Sequence, residues 1–109
     1  MSKPIRWLHG EIKTPPMGEK ARRAAGLLLR ELQEGEVLSM PESRPMPSIG
    51  QACHELRIPD QGRTWRVVYH LPGDAVVVLD VFEKKTVQTP QRVLDTCRKR
   101  LKAYREAFP

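Results

Sequence analysis

The chain has 109 residues, 39% hydrophobic and 29% charged, with a formal net charge of +6. Those values exclude a disordered tail and leave room for one modest core, so a single domain over residues 1–109 is expected. Residues 83–109 hold eight Lys or Arg against three acids, which places +5 of the +6 there, a footprint suited to a polyanion such as an RNA backbone.

The chain opens with Met1-Ser2-Lys3-Pro4 and shows no apolar signal region and no long apolar stretch. A cytoplasmic protein without a membrane span is expected. Cys53 and Cys97 lie far apart, form no CxxC pair and read as reduced thiols.

In chain order, Ile5-Arg6-Trp7-Leu8 suits a first strand, and Pro15-Pro16 interrupts the chain. Residues 19–34 form the clearest predicted helix. Ala21, Ala25, Leu28 and Leu32 share one face, with Ala24 and Leu29 beside it and Arg22, Arg23, Arg30, Gln33 and Glu34 opposite. Gly35 is a natural stop. Residues 36–51 carry Pro41, Pro45, Pro47 and Gly50 and read as an ordered crossing loop.

Three strand-like segments follow. Residues 53–58 lead into a turn at Pro59-Asp60-Gln61-Gly62, residues 64–71 into a turn at Pro72-Gly73-Asp74, and residues 75–82 are almost continuously apolar. The last should be an interior strand covered on both faces, and the three should form an antiparallel meander. Thr89 then caps a final helix that has Pro90 in its first turn. Leu94, Cys97, Leu101, Tyr104 and Phe108 line one face of it, while Arg92, Lys99, Arg100 and Lys102 project elsewhere. The expected fold is α+β, a small antiparallel-rich sheet with the N-terminal and C-terminal helices packed on one face.

Strand alternation sorts the side chains. Trp65, Val67, Tyr69 and Leu71 share an apolar face, as do His54, Leu56 and Ile58, so His54 reads as a core-edge histidine. The other face collects Glu55, Arg57, Arg66 and His70, with Lys84 and Lys85 at the same rim. Singly these are ordinary solvent-facing residues of a half-exposed sheet. Together they form one ionisable group of candidate catalytic residues. There is no P-loop, no GxGxxG and no GxSxG, and the Cys and His spacing fits no zinc pattern. No metal and no cofactor are therefore expected. Lys84, Arg92, Lys99, Arg100 and Lys102 form a basic band suited to holding RNA by charge. An aromatic content of 6% argues against a base-stacking platform for single strands.

Four features recur in order: Glu55-Leu56-Arg57-Ile58, Trp65-Arg66-Val67-Val68-Tyr69, the strand from Val76 ending in Phe82-Glu83-Lys84-Lys85-Thr86, and Thr89-Pro90 opening a basic helix. In this the chain resembles the RelE/ParE toxin superfamily, and more closely its HigB-like, phage-associated branch. The resemblance implies a RelE-like fold and the toxin of a type II toxin–antitoxin pair. It also implies a ribosome-dependent endoribonuclease that cuts mRNA in the ribosomal A site. A cognate antitoxin, of helix-turn-helix type, is the implied partner, with the ribosome and mRNA. Arg57 and Arg66 match strand residues often basic in the family, Lys85 matches the basic residue after the last strand, and Glu55 sits where some members place a carboxylate. A tyrosine or histidine near the C-terminus, catalytic in some members, has no counterpart here; Gln91 and Arg92 occupy that neighbourhood.

Metal-free cleavage would use the ribose 2′-OH as nucleophile and needs a base, an acid and cations for the phosphorane. Glu55 is the candidate base and His70 the candidate acid or second base, with His54 in reserve. Arg57, Arg66 and Lys85 would hold the scissile phosphate. Two rival readings remain: a ParE-like gyrase inhibitor on the same fold, and a non-catalytic nucleic-acid-binding module.

Overall fold

The computed structural model describes residues 2–85 and 87–109. Met1 and Thr86, the latter closing the 82–86 run noted above, lie outside the described residues. The elements are β1 (Ile5–Trp7), α1 (Glu19–Gln33), β2 (Ser43–Pro45), β3 (Cys53–Asp60), β4 (Arg63–His70), β5 (Val76–Lys84) and α2 (Gln91–Ala107). The architecture is α+β. The five strands form one sheet in the order β1-β5-β4-β3-β2, antiparallel except for the parallel β1–β5 pair.

The helix α1 buries Ala21, Ala25, Leu29 and Leu32, spaced for one helical face. It ends where Gly35 takes a left-handed φ of +91°. That conformation lets the Gly35 and Glu36 N–H groups donate to Leu32 O and Glu31 O, satisfying carbonyls the helix leaves open.

The β3–β4 hairpin is tighter than the sequence implies. Its loop is Gln61-Gly62, both at positive φ (+44° and +84°), the geometry whose twist suits adjacent strands. Pro59 and Asp60 therefore stay in the ladder, opposite Thr64 and Arg63. Asp60 is buried and accepts hydrogen bonds from Gly18 N (2.9 Å) and Trp65 Nε1 (2.8 Å), pinning the start of α1 to the hairpin. The crossing loop at 36–51 contains β2. That strand escapes sequence reading because it is short and ends in proline, which only an edge position tolerates.

The expected placement of both helices on one face is not what forms. α1 covers the face of Leu56, Ile58, Trp65, Val67, Tyr69, Val76 and Val78. α2 covers the opposite face, packing on Cys53, Val68, Val77 and Leu79. The cause lies in β5: Val76, Val77, Val78 and Leu79 are all fully buried, so both of its faces need cover. The core contacts of α2 fall at one end of its face, and Arg57, Arg66 and Lys84 stand beyond them. Among the described residues, no helix is long and apolar enough to cross a membrane.

Candidate nucleic-acid interface

The tight hairpin sets the register of the site. Arg57 lies directly opposite Arg66, Arg66 opposite Phe82, and Thr64 opposite Lys84. Directly opposed residues of antiparallel strands share a face, so two arginines, a phenyl ring and a lysine stand together. Like charges so placed repel, and Glu55 supplies the compensation. It stands two residues before Arg57 on the same face and is 0% exposed. Its Oε1 accepts from Arg44 Nε (3.2 Å) and lies 3.3 Å from Arg66 Nε. Its Oε2 accepts from Thr89 Oγ1 (3.1 Å), which itself accepts from Arg44 Nη2 (3.4 Å).

One buried carboxylate thus pairs with Arg44 and Arg66 and acts on Lys84, with Arg57 on the same face. The Arg66 side chain is only 7% exposed, yet its Nε and Nη1 are buried with no hydrogen-bond partner among the described residues. Burial lowers the Arg66 guanidinium below its ordinary range; Glu55 opposes this, and Arg57 and Arg44 add to it. Burial likewise lowers the Lys84 ammonium, opposed by Glu55 and reinforced by Arg66, Arg44 and Arg57. Unpartnered buried donors in surplus positive charge are costly, and an oxyanion would relieve both costs. There is space for one. An open cleft of about 440 Å³ is lined by Pro41, Glu42, Arg57, Pro59, Thr64 and Arg66. A second, of about 410 Å³, is lined by Phe82, Glu83, Lys84, Lys85, Pro90 and Arg92.

The structure separates the candidates read from the sequence. Arg57 and Arg66 come together at one cleft wall. Arg66 is not on an open surface, as its strand face implied, because Glu55 draws it inward. Glu55 is sealed from solvent, an awkward position for a base that must meet a 2′-OH. Lys84 faces Arg66, while Lys85, past the strand end, is exposed at the second cleft. His70 is not brought to the cluster. It is buried under α2, edge-on to Tyr104 with ring centroids 6.3 Å apart and Nδ1 3.6 Å from Cys53 Sγ. It stands four residues from Arg66, roughly 13 Å along the strand. Burial, with Arg105 adding, holds its imidazole below the ordinary value. His54 lies on the other face, stacked on Tyr69 at 5.3 Å.

Of the basic band, Arg92, Lys99 and Lys102 are exposed. Arg100 instead donates to Leu79 O (2.7 Å) and lies 3.6 Å from Asp80, fastening α2 to β5. Sequence reading misses Arg44 and Thr89. Arg44 sits in β2, whose pattern is too short to place it. Thr89 does not cap α2: the cap residue is Pro90, with no side-chain cap bond, because the Thr89 hydroxyl is turned to Glu55. Among the described residues, no group of three or more His, Cys, Asp or Glu could hold a metal.

Fold and site define a small α+β protein with an anion-ready cationic cleft on its central strands. The chain belongs to the family described as Phage derived protein Gp49-like (DUF891), whose model matches residues 16–102. That family is associated with RelE-like toxins of toxin–antitoxin pairs. No curated protein matches the chain. The matched span contains every residue of the cationic cluster and both clefts.

Proposed function

We propose that the chain, working as one domain over residues 1–109, is the toxin of a type II toxin–antitoxin pair of HigB-like character. In this reading it acts in the cytoplasm and cuts mRNA on the ribosome. The supporting observation is Arg66, a buried guanidinium whose Nη1 has no hydrogen-bond partner among the described residues, facing Arg57 across β3 and β4 at the wall of a cleft.

The reaction is a metal-free transesterification. The 2′-oxygen bonds to the adjacent phosphorus, the bond from phosphorus to the 5′-oxygen breaks, and a 2′,3′-cyclic phosphate and a 5′-hydroxyl result. Arg57 and Arg66 hold the non-bridging oxygens and stabilise the phosphorane. Lys84, whose ammonium is lowered by burial and by neighbouring arginines, gives the departing 5′-oxygen its proton. Glu42, an exposed carboxylate lining the Arg57–Arg66 cleft, takes the proton of the 2′-OH. Glu55 becomes a positioning residue that orients Arg44 and Arg66. Lys99 and Lys102 on α2 supply attraction to ribosomal RNA. The cognate antitoxin, with a helix-turn-helix domain, is the partner that silences this face.

The test pairs Arg57→Ala with Arg66→Lys, which keeps a cation beside Glu55 but removes the planar fork. Each variant is induced, and cut sites are mapped on translated mRNA. Loss of one phosphorane donor lowers cleavage by about 10²–10³-fold, with the melting temperature of Arg57→Ala unchanged. Undiminished cutting by both variants at equal expression, or gyrase inhibition without mRNA cuts, overturns the proposal.

A further inference from the structure

Phe82 lies directly opposite Arg66 on the site face of the sheet. Its ring is half-buried, packed on one side against the core under α2, and lines the second cleft beside Lys84, Lys85, Pro90 and Arg92. Among the described residues it is the one aromatic placed there. Trp65 and Tyr69 belong to the α1 core, Tyr104 is buried on the inner face of α2, Trp7 is on β1, and Phe108 is engaged by Tyr104 and Arg6. A core role alone would be met by leucine. It does not explain a half-buried ring that lines a cleft with three cations.

The surroundings of the cleft select for negative charge. Glu83 also lines the cleft, and its charge is offset by Arg63 at 3.8 Å. The first turn of α2 has no acidic residue and no side-chain cap, so the positive end of a 17-residue helix opens between Pro90 and Arg92 without compensation. The independent sign of an anion is at the adjoining cleft, in Arg66 Nη1, buried with no hydrogen-bond partner among the described residues. A volume of about 410 Å³ falls within the range of small-ligand sites.

We infer that this cleft is a nucleotide subsite. The base next to the phosphate held by Arg57 and Arg66 stacks on Phe82, and that nucleotide's other phosphate lies among Lys85, Arg92 and the first turn of α2. The inference rests on the RNA-cleaving reading and extends it to the nucleotide that flanks the cut. One ring makes one subsite rather than a platform, so it fits a chain poor in aromatics. Stacking accepts any base, because every base has a π face. The subsite therefore fixes position and leaves sequence choice to other contacts.

The test uses the full chain and an RNA trinucleotide made uncleavable by a 2′-O-methyl group at the nucleophile. Two further probes carry an abasic ribose at the 5′ or the 3′ flank, and affinities are measured by calorimetry. One abasic probe should bind the wild type about tenfold or more weakly than the intact probe. Phe82→Leu, which keeps the core contact, should show the same loss on the intact probe and none further on the abasic one. Arg57→Ala should weaken all three probes alike. If wild type binds intact and both abasic probes equally while Arg57→Ala weakens them, the subsite is overturned and the phosphate site stands. If Arg57→Ala changes nothing on any probe, the RNA reading falls and takes the subsite with it. If Phe82→Leu binds RNA like wild type but loses its antitoxin, the cleft belongs to a protein partner and the inference is overturned.

Discussion

Glu55→Gln separates a structural carboxylate from a catalytic one. The substitution keeps the shape of the side chain and an acceptor for the Thr89 hydroxyl, so charge is what it removes. Glu55 is 0% exposed and lies 3.2 Å from Arg44 Nε and 3.3 Å from Arg66 Nε. Breaking a buried ion pair costs about 3–5 kcal/mol because the surviving charge stays desolvated. Arg44 is 37% exposed, so solvent screens its share and the cost rests mainly on Arg66. The lower figure of about 3 kcal/mol is therefore expected, which at roughly 4 °C per kcal/mol for a chain of this size lowers the melting temperature by about 12 °C.

A second signature follows from the same charges. Without Glu55 the four cations lose their buried carboxylate and keep only Glu42 at the exposed cleft wall, so inorganic phosphate should stabilise the variant more than the wild type. The assay is thermal unfolding with and without phosphate at constant ionic strength. A fall in melting temperature under about 2 °C, with no added response to phosphate, would refute the charge-balancing role. So would a variant that melts and binds RNA like wild type but no longer cuts, which would restore Glu55 as the base.

Glu42→Gln should behave in the opposite way: Glu42 is exposed, so stability should hold while cleavage falls by about 10²–10⁴-fold, and full cutting would dismiss Glu42 as the base. In Gly18→Ala the new Cβ would lie 2.6 Å from Asp60 Oδ1, displacing the acceptor of the Gly18 N–H at a cost of about 1–3 kcal/mol in urea unfolding. Gly26→Ala meets nothing within 4 Å on an exposed stretch of α1 and should stabilise by about 0.5–1 kcal/mol; equal midpoints for these two variants would contradict the packing. Since burial depresses folded His70, the unfolded chain takes up a proton below about pH 6.5 before the folded chain does, so the stability His70 contributes is intact above that value and declines below it. His54 is depressed by burial too and slopes the same way, so His70→Gln should reduce, not abolish, the loss of stability between pH 7.5 and 5.5. An unchanged slope would show that His70 does not titrate between the two states.

The meander was legible because three strands carry period-two or fully apolar patterns, and alternation correctly put Arg57 and Arg66 on one face. The positions of the helices were legible only in part. The unbroken apolar run of β5 already demanded cover on both sides, and that demand decides against packing both helices together. Register was hidden, because it depends on a two-residue loop inside a four-residue turn signal. The strand end was hidden too: β5 runs two residues past its apolar stretch, and that parity makes Lys84, rather than Lys85, the lysine beside Arg66. Arg44 and Thr89 reach Glu55 from 11 and 34 residues away. No local pattern carries contacts of that kind.

The way α2 covers its face accounts for the division of labour on the sheet. Over Cys53, His70 and Val77 the helix excludes water and favours neutral side chains, so the His70 imidazole is held below its ordinary value. Beyond that cover, the Arg57 and Arg66 end keeps charge at a solvent-accessible cleft. Glu55 sits between these two regimes. A second buried carboxylate among the cations would weaken the cluster's pull on a phosphate. With none, Arg66 would be desolvated without compensation, at a cost comparable to much of a small domain's stability. A single buried carboxylate, steadied by Thr89 from the start of α2 and by Arg44 from the edge strand, holds the cluster together and leaves it short of negative charge. Under the proposed function an anion entering the cleft would fill that deficit, so the groups that stabilise the fold would also prepare the site for a phosphate.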